Sequence, residues 1–425
     1  MARGAAPDVT RFPRSSRLLA FLTLAALGAC AGPVPSLPPA VAAAQDDFPA
    51  GYEQSRLRFR SDCVRSAAVP SAACRRFPVP VMPCGAPRDA GDDLTIDTAF
   101  FPSRGDRLLV VQSGIHGAEA PAGAAVQRLL MERYLGALLV GGTDVLLVHA
   151  VDAWGFRHRR RTNGCNVNLN RNFGRDGSLY ATANPDYDRL RPVVEPEGPV
   201  ASPRLETLKI AAALVATVAA DGFSSRRVLN GLNSGQFRHP EGLNYGGQEP
   251  APENLVLRDV LRPHLARPYR SVLLLDVHTG LGEPGVLAVI EGVAPAPARM
   301  QALRALLEGA DPGGIVFRTG QDPGFFPTAG DVIDAVPALA PDPSRVLAVT
   351  MEYGTFGGGA LAQLRSAAAL VLENRRHRHG CATEEACAEV ASRFRGLFDP
   401  PDAGWRAQVL RRAGLVFERL AGGRW

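Results

Sequence analysis

Short apolar runs alternate with longer segments of helical periodicity along most of the chain. The runs are nearly continuous and rich in leucine and β-branched residues, which is typical of strands covered on both faces. They are Arg107 to Gln112, Asp144 to Val151, Val272 to Val277, Val286 to Ile290 and Val346 to Met351. The helical segments are Ala120 to Leu135, Arg204 to Ala220, Pro297 to Glu308, Ala360 to Arg375 and Glu384 to Phe398. This alternation predicts a layered α/β domain with a largely parallel sheet.

The N-terminus follows a different pattern. Scattered arginines precede an apolar run from Leu18 to Leu27, which is too short to span a membrane and has the layout of a secretory signal. The segment that ends at Cys30 resembles the lipobox of bacterial lipoproteins, and the alternative is ordinary cleavage after residues 42–44. Both alternatives predict export. We assign residues 1–29 to a signal peptide, 30–50 to a Pro/Ala-rich tether and 51–425 to a single domain with a Cys-containing N-terminal and a helical C-terminal extension.

Composition and charge narrow the function classes only slightly. The 425 residues are 46% hydrophobic and 21% charged, an ordinary globular composition. Four arginines and one aspartate before Cys30 account for +3 of the formal charge of +5. The remainder gives no argument for a nucleic-acid partner.

The cysteines fit an exported protein. Seven are present, and an even number remains if Cys30 is acylated. An even count in an oxidising compartment indicates disulfides, which the sequence alone cannot pair in full. Cys381 and Cys387 lie close together between two helical patterns, and we expect them to form one local bridge.

Polar clusters follow four of the predicted strands. They are His116 to Glu119, the arginine-rich stretch through Arg171, Asp276 to Thr279, and Glu352. Ligands of open α/β sheets bind outside the carboxyl ends of the strands, so these clusters are expected to share one site.

The segment VVQSGIHGAEAPAG, residues 110–123, contains His116 and Glu119 at the start of a helix. They are either two metal ligands or a buried histidine beside a helix N-terminus that carries an acid. His278, at the end of an apolar run, can supply the third ligand of a zinc site that keeps one open position. Asp276, two residues earlier, either holds the second ring nitrogen or accepts hydrogen bonds in a turn.

Three further residue types suit the chemistry beside such a metal. Asn170 and Arg171 offer amide and guanidinium donors for a carboxylate. One arginine of the run 159–161 can polarise a carbonyl, although each alone fits a surface position equally well. Glu352 ends a buried strand and is either a general base or a salt-bridge partner.

The order of an HxxE motif, an NRNF segment, a strand-terminal His and a strand-terminal Glu resembles the zinc carboxypeptidase superfamily, which includes aspartoacylase-like deacylases. The segments GQFRHPEGLNYGG, residues 235–247, and DVHTGLG, residues 276–282, resemble a bacterial branch of it that has no assigned function. The likeness extends from Arg107 to Phe356. It implies a three-layer α/β sandwich around a mostly parallel mixed sheet.

The resemblance also implies roles for single residues. It makes His116, Glu119 and His278 the ligands of Zn²⁺, and Glu352 the base. The remaining implied roles are carboxylate binding for Asn170 and Arg171, oxyanion stabilisation for Arg160 with Arg159 and Arg161 left open, and substrate contact for Tyr245. The chain departs from the family at Asn168, where an aspartate usually supports the first histidine, so metal affinity or the basicity of bound water is expected to differ.

These observations predict an exported zinc hydrolase, lipid-anchored at Cys30, that cleaves an amide bond adjacent to a free carboxylate. Its expected substrates are peptides, as for a carboxypeptidase, or small N-acyl amino acids, as for a deacylase. A lipoprotein that binds cell-wall peptides without cleaving them is the non-enzymatic alternative. No GxSxG motif supports a serine hydrolase. We expect no nucleic-acid partner, and membrane contact through the anchor alone.

Overall fold

The fold was analysed in a computed structural model. It describes residues 44–67, 71–80, 84, 93–174, 176–220, 224–292, 296–322, 326, 328–423 and 425. The predicted signal peptide, Cys30 and the tether up to residue 43 lie outside the described residues.

A single mixed sheet of eight strands lies at the centre of the domain. The strands are β1 (Ala73–Pro78), β2 (Thr95–Phe101), β3 (Arg107–Ser113), β4 (Thr143–His149), β5 (Ser271–Gly280), β6 (Leu287–Glu291), β7 (Ile315–Arg318) and β8 (Val346–Gly354). Their order is β1-β2-β4-β3-β5-β8-β6-β7. The central pairs β4-β3, β3-β5 and β5-β8 are parallel, as is the edge pair β6-β7, and the other three pairs are antiparallel. The predicted mixed, mostly parallel sheet is confirmed.

Alternate residues of the central strands enter two separate hydrophobic cores. On β3, Leu109 and Val111 belong to the core that includes the C-terminal helices, whereas Leu108 and Val110 belong to the core on the opposite face. Successive side chains of a strand point to opposite faces, so both faces of the sheet must be covered. The predicted three-layer architecture follows from this division.

Thirteen helices of four or more residues surround the sheet among the described residues after residue 50, in addition to short 3₁₀ turns and one π-helical segment. They are α1 (Tyr52–Ser66), α2 (Ala120–Leu129), α3 (Leu135–Val140), α4 (Ala153–His158), α5 (Pro185–Val194), α6 (Pro203–Ala220), α7 (Ser225–Asn233), α8 (Pro252–Leu265), α9 (Pro297–Leu307), α10 (Val332–Ala335), α11 (Ala360–His379), α12 (Glu384–Phe398) and α13 (Ala403–Gly422). Every segment predicted as a helix or strand is present, with ends that shift by a few residues.

A third hydrophobic core lies outside the two that flank the sheet. Its side chains come mainly from α5, α6, α7 and α11, with Val390 of α12. The helices α6 and α11 are also joined by an ion pair of 3.1 Å between Glu206 and Arg375. This helical subassembly borders the carboxyl ends of the strands, where it forms one wall of the cavity described below.

The domain begins earlier than the sequence suggested. Phe48 lies within the predicted tether, yet it is buried and its ring lies 5.9 Å from that of Trp405 on α13. Gln45 accepts a hydrogen bond from Arg406 on the same helix. The tether boundary at residue 50 is therefore corrected, because an isolated aromatic residue in a Pro- and Ala-rich segment carries no periodicity that would mark it as packed.

Three disulfides cross-link the domain. Cys381 and Cys387 are joined as predicted, and the other two bonds are Cys63–Cys74 and Cys84–Cys165. The last bond reaches the loop between α4 and α5, which carries several of the polar residues singled out above. Among the described residues, no helix combines the length and the apolar character needed to cross a bilayer.

Candidate metal centre

Three buried side chains, His116, Glu119 and His278, converge at the carboxyl ends of β3 and β5. Nδ1 of His116 lies 2.8 Å from Oε1 of Glu119, and Nδ1 of His278 lies 3.1 Å from Oε2 of the same carboxylate. The atoms that could bind a metal all lie within 4.8 Å of one another. The three residues predicted as metal ligands are therefore brought together.

The second nitrogen of each imidazole is held by a buried acceptor. Nε2 of His116 donates to Oδ1 of Asn168 at 3.0 Å, and Nε2 of His278 donates to Oδ2 of Asp276 at 2.7 Å. A proton on Nε2 leaves the lone pair on Nδ1, the atom that faces the carboxylate. Nδ1 of His116 is buried and makes no hydrogen bond of acceptable geometry, which is what a ligand atom aimed at a cation requires.

The backbone explains why the HxxE spacing works here. His116 directly precedes a single 3₁₀ turn, Gly117–Glu119, that follows β3 and returns Glu119 toward the histidine. A Cβ atom at Gly117 would lie 2.0 Å from the carbonyl carbon of Gly155 in α4, so only glycine permits this close approach. On β5, Asp276 and His278 are two residues apart and share one face of the strand.

The charges of the cluster favour a cation. Burial lowers the pKa of His116 to about 3, so this imidazole is a neutral ligand. Burial also disfavours the charged form of His278, but the carboxylates of Asp276 and Glu119 outweigh it and raise the pKa of this histidine well above its usual value. The pKa of Glu119 would be raised by burial alone, yet its two histidine neighbours lower it well below the usual value. His278 would therefore release a proton on binding a metal, after which the two imidazoles and one carboxylate form a donor set that zinc prefers.

Glu352 lies beside this cluster on the neighbouring strand. The parallel register of β5 and β8 pairs His278 with Glu352 directly. Its Oε1 accepts a hydrogen bond of 2.7 Å from the backbone amide of Leu281, in the loop that follows β5. Burial, followed by the negative charge of Glu119, raises the pKa of Glu352 to about 7. The structure thus places a carboxyl group that can gain and lose a proton near neutral pH next to the predicted ligands.

Guanidinium and amide groups also line the cavity. Asn170 donates to Asp331 at 3.1 Å and accepts from the amide of Val332 at 2.9 Å. Arg171 donates through Nε to the carbonyl of Asn233, and burial lowers its pKa to about 10. Both residues line the cavity as predicted, and they hold fixed positions before any ligand binds.

Arg161, and not Arg160, faces the metal ligands. Nε of Arg161 lies 3.5 Å from Oε1 of Glu119, and its Nη1 donates to the side chain of Asn244. Arg160 turns away because Arg159 has a left-handed φ of 56°, and its guanidinium is buried 3.2 Å from Glu373 on α11. The prediction of Arg160 as the oxyanion residue is therefore corrected.

Tyr245 does not line the cavity either. Its ring is buried in the core on the α8 side of the sheet, and its backbone carbonyl accepts from the amide of Asn168. The preceding Asn244 has a left-handed φ of 51° and reaches the cavity in its place, with its Oδ1 also accepting from Asn168 at 2.7 Å. The prediction that Tyr245 contacts the substrate is therefore corrected, because Asn244 lines the cavity and Tyr245 does not.

Asn244 and Asp331, which contact predicted site residues, were not predicted themselves. Asn244 was visible only as part of the Asn-Tyr-Gly-Gly turn, residues 244–247, which marks unusual backbone rather than a ligand. Asp331 caps α10 through the amide of Ile333 and also receives a hydrogen bond from Asn170. A cap of this kind follows Gly330 in the sequence, but its link to Asn170 depends on contacts between distant segments.

The cluster opens into a cavity of about 560 Å³. Its floor is formed by the metal ligands, Glu352, Arg161, Asn170 and Arg171. One wall is made by the helices α6, α7 and α11, and the other by the ends of β6 and β8 and the segment around α10. A cavity of this size accommodates a small organic molecule.

Comparison with protein families gives one match. The family model described as "Protein of unknown function (DUF2817)" matches residues 48–412, which include every residue of the cluster. Comparison with curated proteins finds no match.

Solved structures with a similar fold include several metallopeptidases. The carboxypeptidase A from Helicoverpa armigera has 15% identity and a TM-score of 0.41, with 81% of this chain and 74% of that chain covered. The metallo-carboxypeptidase from Burkholderia cenocepacia has 12% identity and a TM-score of 0.39, with 76% and 68% covered. Bovine thrombin-activatable fibrinolysis inhibitor, in complex with tick carboxypeptidase inhibitor, has 12% identity and a TM-score of 0.41, with 81% and 98% covered. Because these TM-scores are low, the functional assignment rests on the side chains of the site.

Proposed function

The chain belongs to the DUF2817 family, and we propose that this member is a zinc-dependent hydrolase. It would cleave an amide bond adjacent to a free carboxylate, as a carboxypeptidase does. The convergence of His116, Glu119 and His278 beside Glu352 carries the proposal. The second ring nitrogen of each histidine is held by an acceptor, as is usual for histidines that bind a metal, and this supports the proposal.

The residues of the site divide the chemistry between them. His116, Glu119 and His278 would hold zinc, which supplies a Lewis acid and lowers the pKa of water when it is bound. Glu352 takes a proton from the attacking water and returns it to the amide nitrogen as the C–N bond breaks. Its hydrogen bond from Leu281 fixes the carboxyl group in place for both transfers.

The guanidinium groups account for substrate orientation. Arg171, beside Asn170, offers N–H donors for the free carboxylate of the substrate. Arg161 lies closer to Glu119 and is positioned to stabilise the negative charge that develops on the carbonyl oxygen. The buried setting strengthens both interactions relative to water.

The decisive experiment concerns Glu352→Gln. The amide preserves the shape of the side chain, so we expect zinc content and melting temperature to stay near the wild-type values. Turnover should fall by roughly 10²- to 10⁴-fold, the usual contribution of general acid–base catalysis. Zinc content by elemental analysis, melting temperature and turnover of peptides and N-acyl amino acids are measured on the same preparation.

Two further variants make this experiment selective. Glu291→Gln removes an acid from the same cavity at the end of β6, and it should retain most of the turnover. The double variant His116→Ala and His278→Ala should lose zinc. Wild-type turnover of Glu352→Gln, or unchanged zinc in the double variant, contradicts the proposal. A wild-type protein that holds zinc and binds these compounds without cleaving them is a binding module instead.

We also propose that the protein is exported and anchored through a lipid on Cys30. Six of the seven cysteines form disulfides in the described part of the chain, which supports an oxidising compartment and sets Cys30 apart. Cys30→Ser should abolish metabolic labelling by a fatty-acid analogue and release the protein from the membrane fraction. Persistent labelling of the variant rules out this anchor.

A further inference from the structure

The wall of the cavity formed by α6, α7 and α11 is apolar. We define the aliphatic wall by six side chains: Leu214, Val218, Val228, Leu232, Leu364 and Leu370. We propose that this wall binds a long aliphatic acyl chain, so that the substrates are N-acyl amino acids with a fatty acyl group. The inference rests on the proposed hydrolase function and specifies the group on the acyl side of the amide bond.

The chemistry of the wall separates an acyl chain from a peptide. Each further peptide unit carries an N–H and a C=O group that need partners when they leave water. The six side chains of the aliphatic wall provide none, and the same helices add four polar side chains to the lining of the cavity: Ser225, Asn233, Gln363 and Ser366. A hydrocarbon chain needs no partners and gains free energy from every methylene that it buries.

The helix α6 extends this apolar surface out of the cavity. From Ile210 to Ala220 it contains no charged residue, and its one hydroxyl, on Thr217, is bonded to the backbone carbonyl of Ala213. A helix that is apolar on all sides is normally buried. Here Leu214 lines the cavity, whereas Val215 at its mouth is 51% exposed.

Further along α6, Leu205 and Leu208 are 50% and 64% exposed. Together with Val215 they form an apolar strip on the same helix that lines the cavity, and apolar surface of this kind marks contact with an apolar partner. An acyl chain that is longer than the cavity could pack against this strip. This arrangement is expected if the substrate binds with its amino-acid carboxylate at Arg171 and its acyl chain along α6.

The reaction balances with water alone. The oxygen of water bonds to the acyl carbon, the C–N bond breaks, and the amine leaves with a proton returned by Glu352. The products are a fatty acid and a free amino acid. No oxidant, reductant or second substrate is needed.

The test is a series of N-acyl derivatives of one amino acid, with acetyl, octanoyl, dodecanoyl and hexadecanoyl groups, hydrolysed by the full chain. A buried methylene is worth roughly a fourfold gain, and octanoyl has six more methylenes than acetyl, so we expect kcat/KM to rise by roughly 10³- to 10⁴-fold if all six are buried. Equal kcat/KM across the series overturns the inference and leaves the hydrolase function intact. Faster cleavage of peptides of similar size than of the dodecanoyl compound also overturns the inference and leaves the hydrolase function intact.

A matched pair of variants tests whether the acyl chain binds along α6. Val215→Glu places a charge at the mouth of the cavity, and the preference for dodecanoyl over acetyl should fall roughly tenfold because the charge must stay hydrated. Val64→Glu is the control, since Val64 is 69% exposed on α1 and does not line the cavity. It should keep the wild-type preference. An equal loss in both variants, or in neither, overturns the assignment.

Binding measured without turnover separates the two proposals. In Glu352→Gln, calorimetric titration should show the dodecanoyl amino acid binding at least tenfold more tightly than the acetyl one. If no compound is hydrolysed by the wild type but this difference in binding remains, the proposed hydrolase function is wrong and the assignment of the aliphatic wall to acyl-chain binding is retained. If binding is equal for both compounds, the inference about the wall fails.

Discussion

At the scale of single residues, two neighbouring arginines have opposite environments. Arg160 is enclosed by Glu373 at 3.2 Å, Asn166 at 3.1 Å and Asn374 at 3.3 Å. Arg161 lies beside Glu119 in the cavity, and its guanidinium carbon lies 5.9 Å from the centre of the Phe398 ring. The first arginine therefore supports the contact with α11, whereas the second is available to a substrate.

We expect different losses from the same substitution at these two positions. Arg161→Gln should lower kcat/KM by roughly 10²- to 10³-fold, because a donor to the developing charge is lost. Arg160→Gln should lower the free energy of unfolding by about 3 kcal/mol, since Glu373 stays buried and keeps only the longer ion pair of 3.8 Å with Arg376. Urea unfolding and steady-state kinetics on both variants give the two quantities. The reverse pattern contradicts the assignment of Arg161.

This distinction could not be predicted from the sequence. Three consecutive arginines carry no periodicity, and the choice among them depends on Arg159 adopting a left-handed φ and on Glu373, which lies on a distant helix. The convergence of the three proposed metal ligands was predictable for the opposite reason. His116, Glu119 and His278 follow strands whose apolar runs are visible, and the ends of parallel strands meet at one edge of a sheet.

At the scale of elements, a strand can be predicted from the sequence when it is both buried and continuously apolar. The strand β2 is buried along nearly its whole length, but its polar residues interrupt the apolar pattern and it was not predicted. The central strands β3, β4, β5 and β8 are buried along their whole length and were predicted from their apolar runs. The edge strands β1 and β7 are partly exposed and carry arginines, so they lack that signal. The loops that bring Asn244 and Asp331 to the site are placed by contacts between distant segments, which no local pattern encodes.

The turn that carries His116 and Glu119 depends on its contact with α4. Gly117→Ala would force this turn away from Gly155, and we expect a loss of about 1–3 kcal/mol in unfolding free energy, as for other overpacked sites, with zinc affinity at least tenfold weaker. Gly136→Ala on α3 is the control, because its new Cβ meets nothing within 4 Å. That variant should gain about 0.5–1 kcal/mol. Chelator competition and thermal unfolding measure both effects, and unchanged zinc affinity in Gly117→Ala would argue against this contact.

At the scale of the whole molecule, buried acids tie stability to pH. Glu253, in the first turn of α8, is 1% exposed and accepts from Nδ2 of Asn163 through both oxygens at 3.2 Å. Burial raises its pKa from 4.5 to about 7. Between these values the folded state keeps a proton that the unfolded state releases, so stability falls as the pH rises through this range.

The expected loss is of order 3 kcal/mol between pH 5 and pH 8, from 1.36 kcal/mol per unit of pKa difference. Glu253→Gln should remove about this amount from the total dependence, and the remainder comes from Glu352 and Asp152, whose pKa values burial raises in the same sense. Glu249→Gln, an exposed neighbour, should behave as the wild type. Denaturant unfolding across the pH range measures the slope, and an unchanged slope in Glu253→Gln refutes its origin in this residue.

The direct pairing of His278 with Glu352 across β5 and β8 limits which insertions and deletions these strands can tolerate. Side chains alternate between the two faces of a sheet, so inserting or deleting one codon within either strand would turn one of the two residues to the opposite face. Substitutions along these strands change one side chain at a time and leave that pairing intact. Length variation among related chains is therefore expected in the loops around the cavity, whereas the number of residues between the start of each strand and its site residue stays constant.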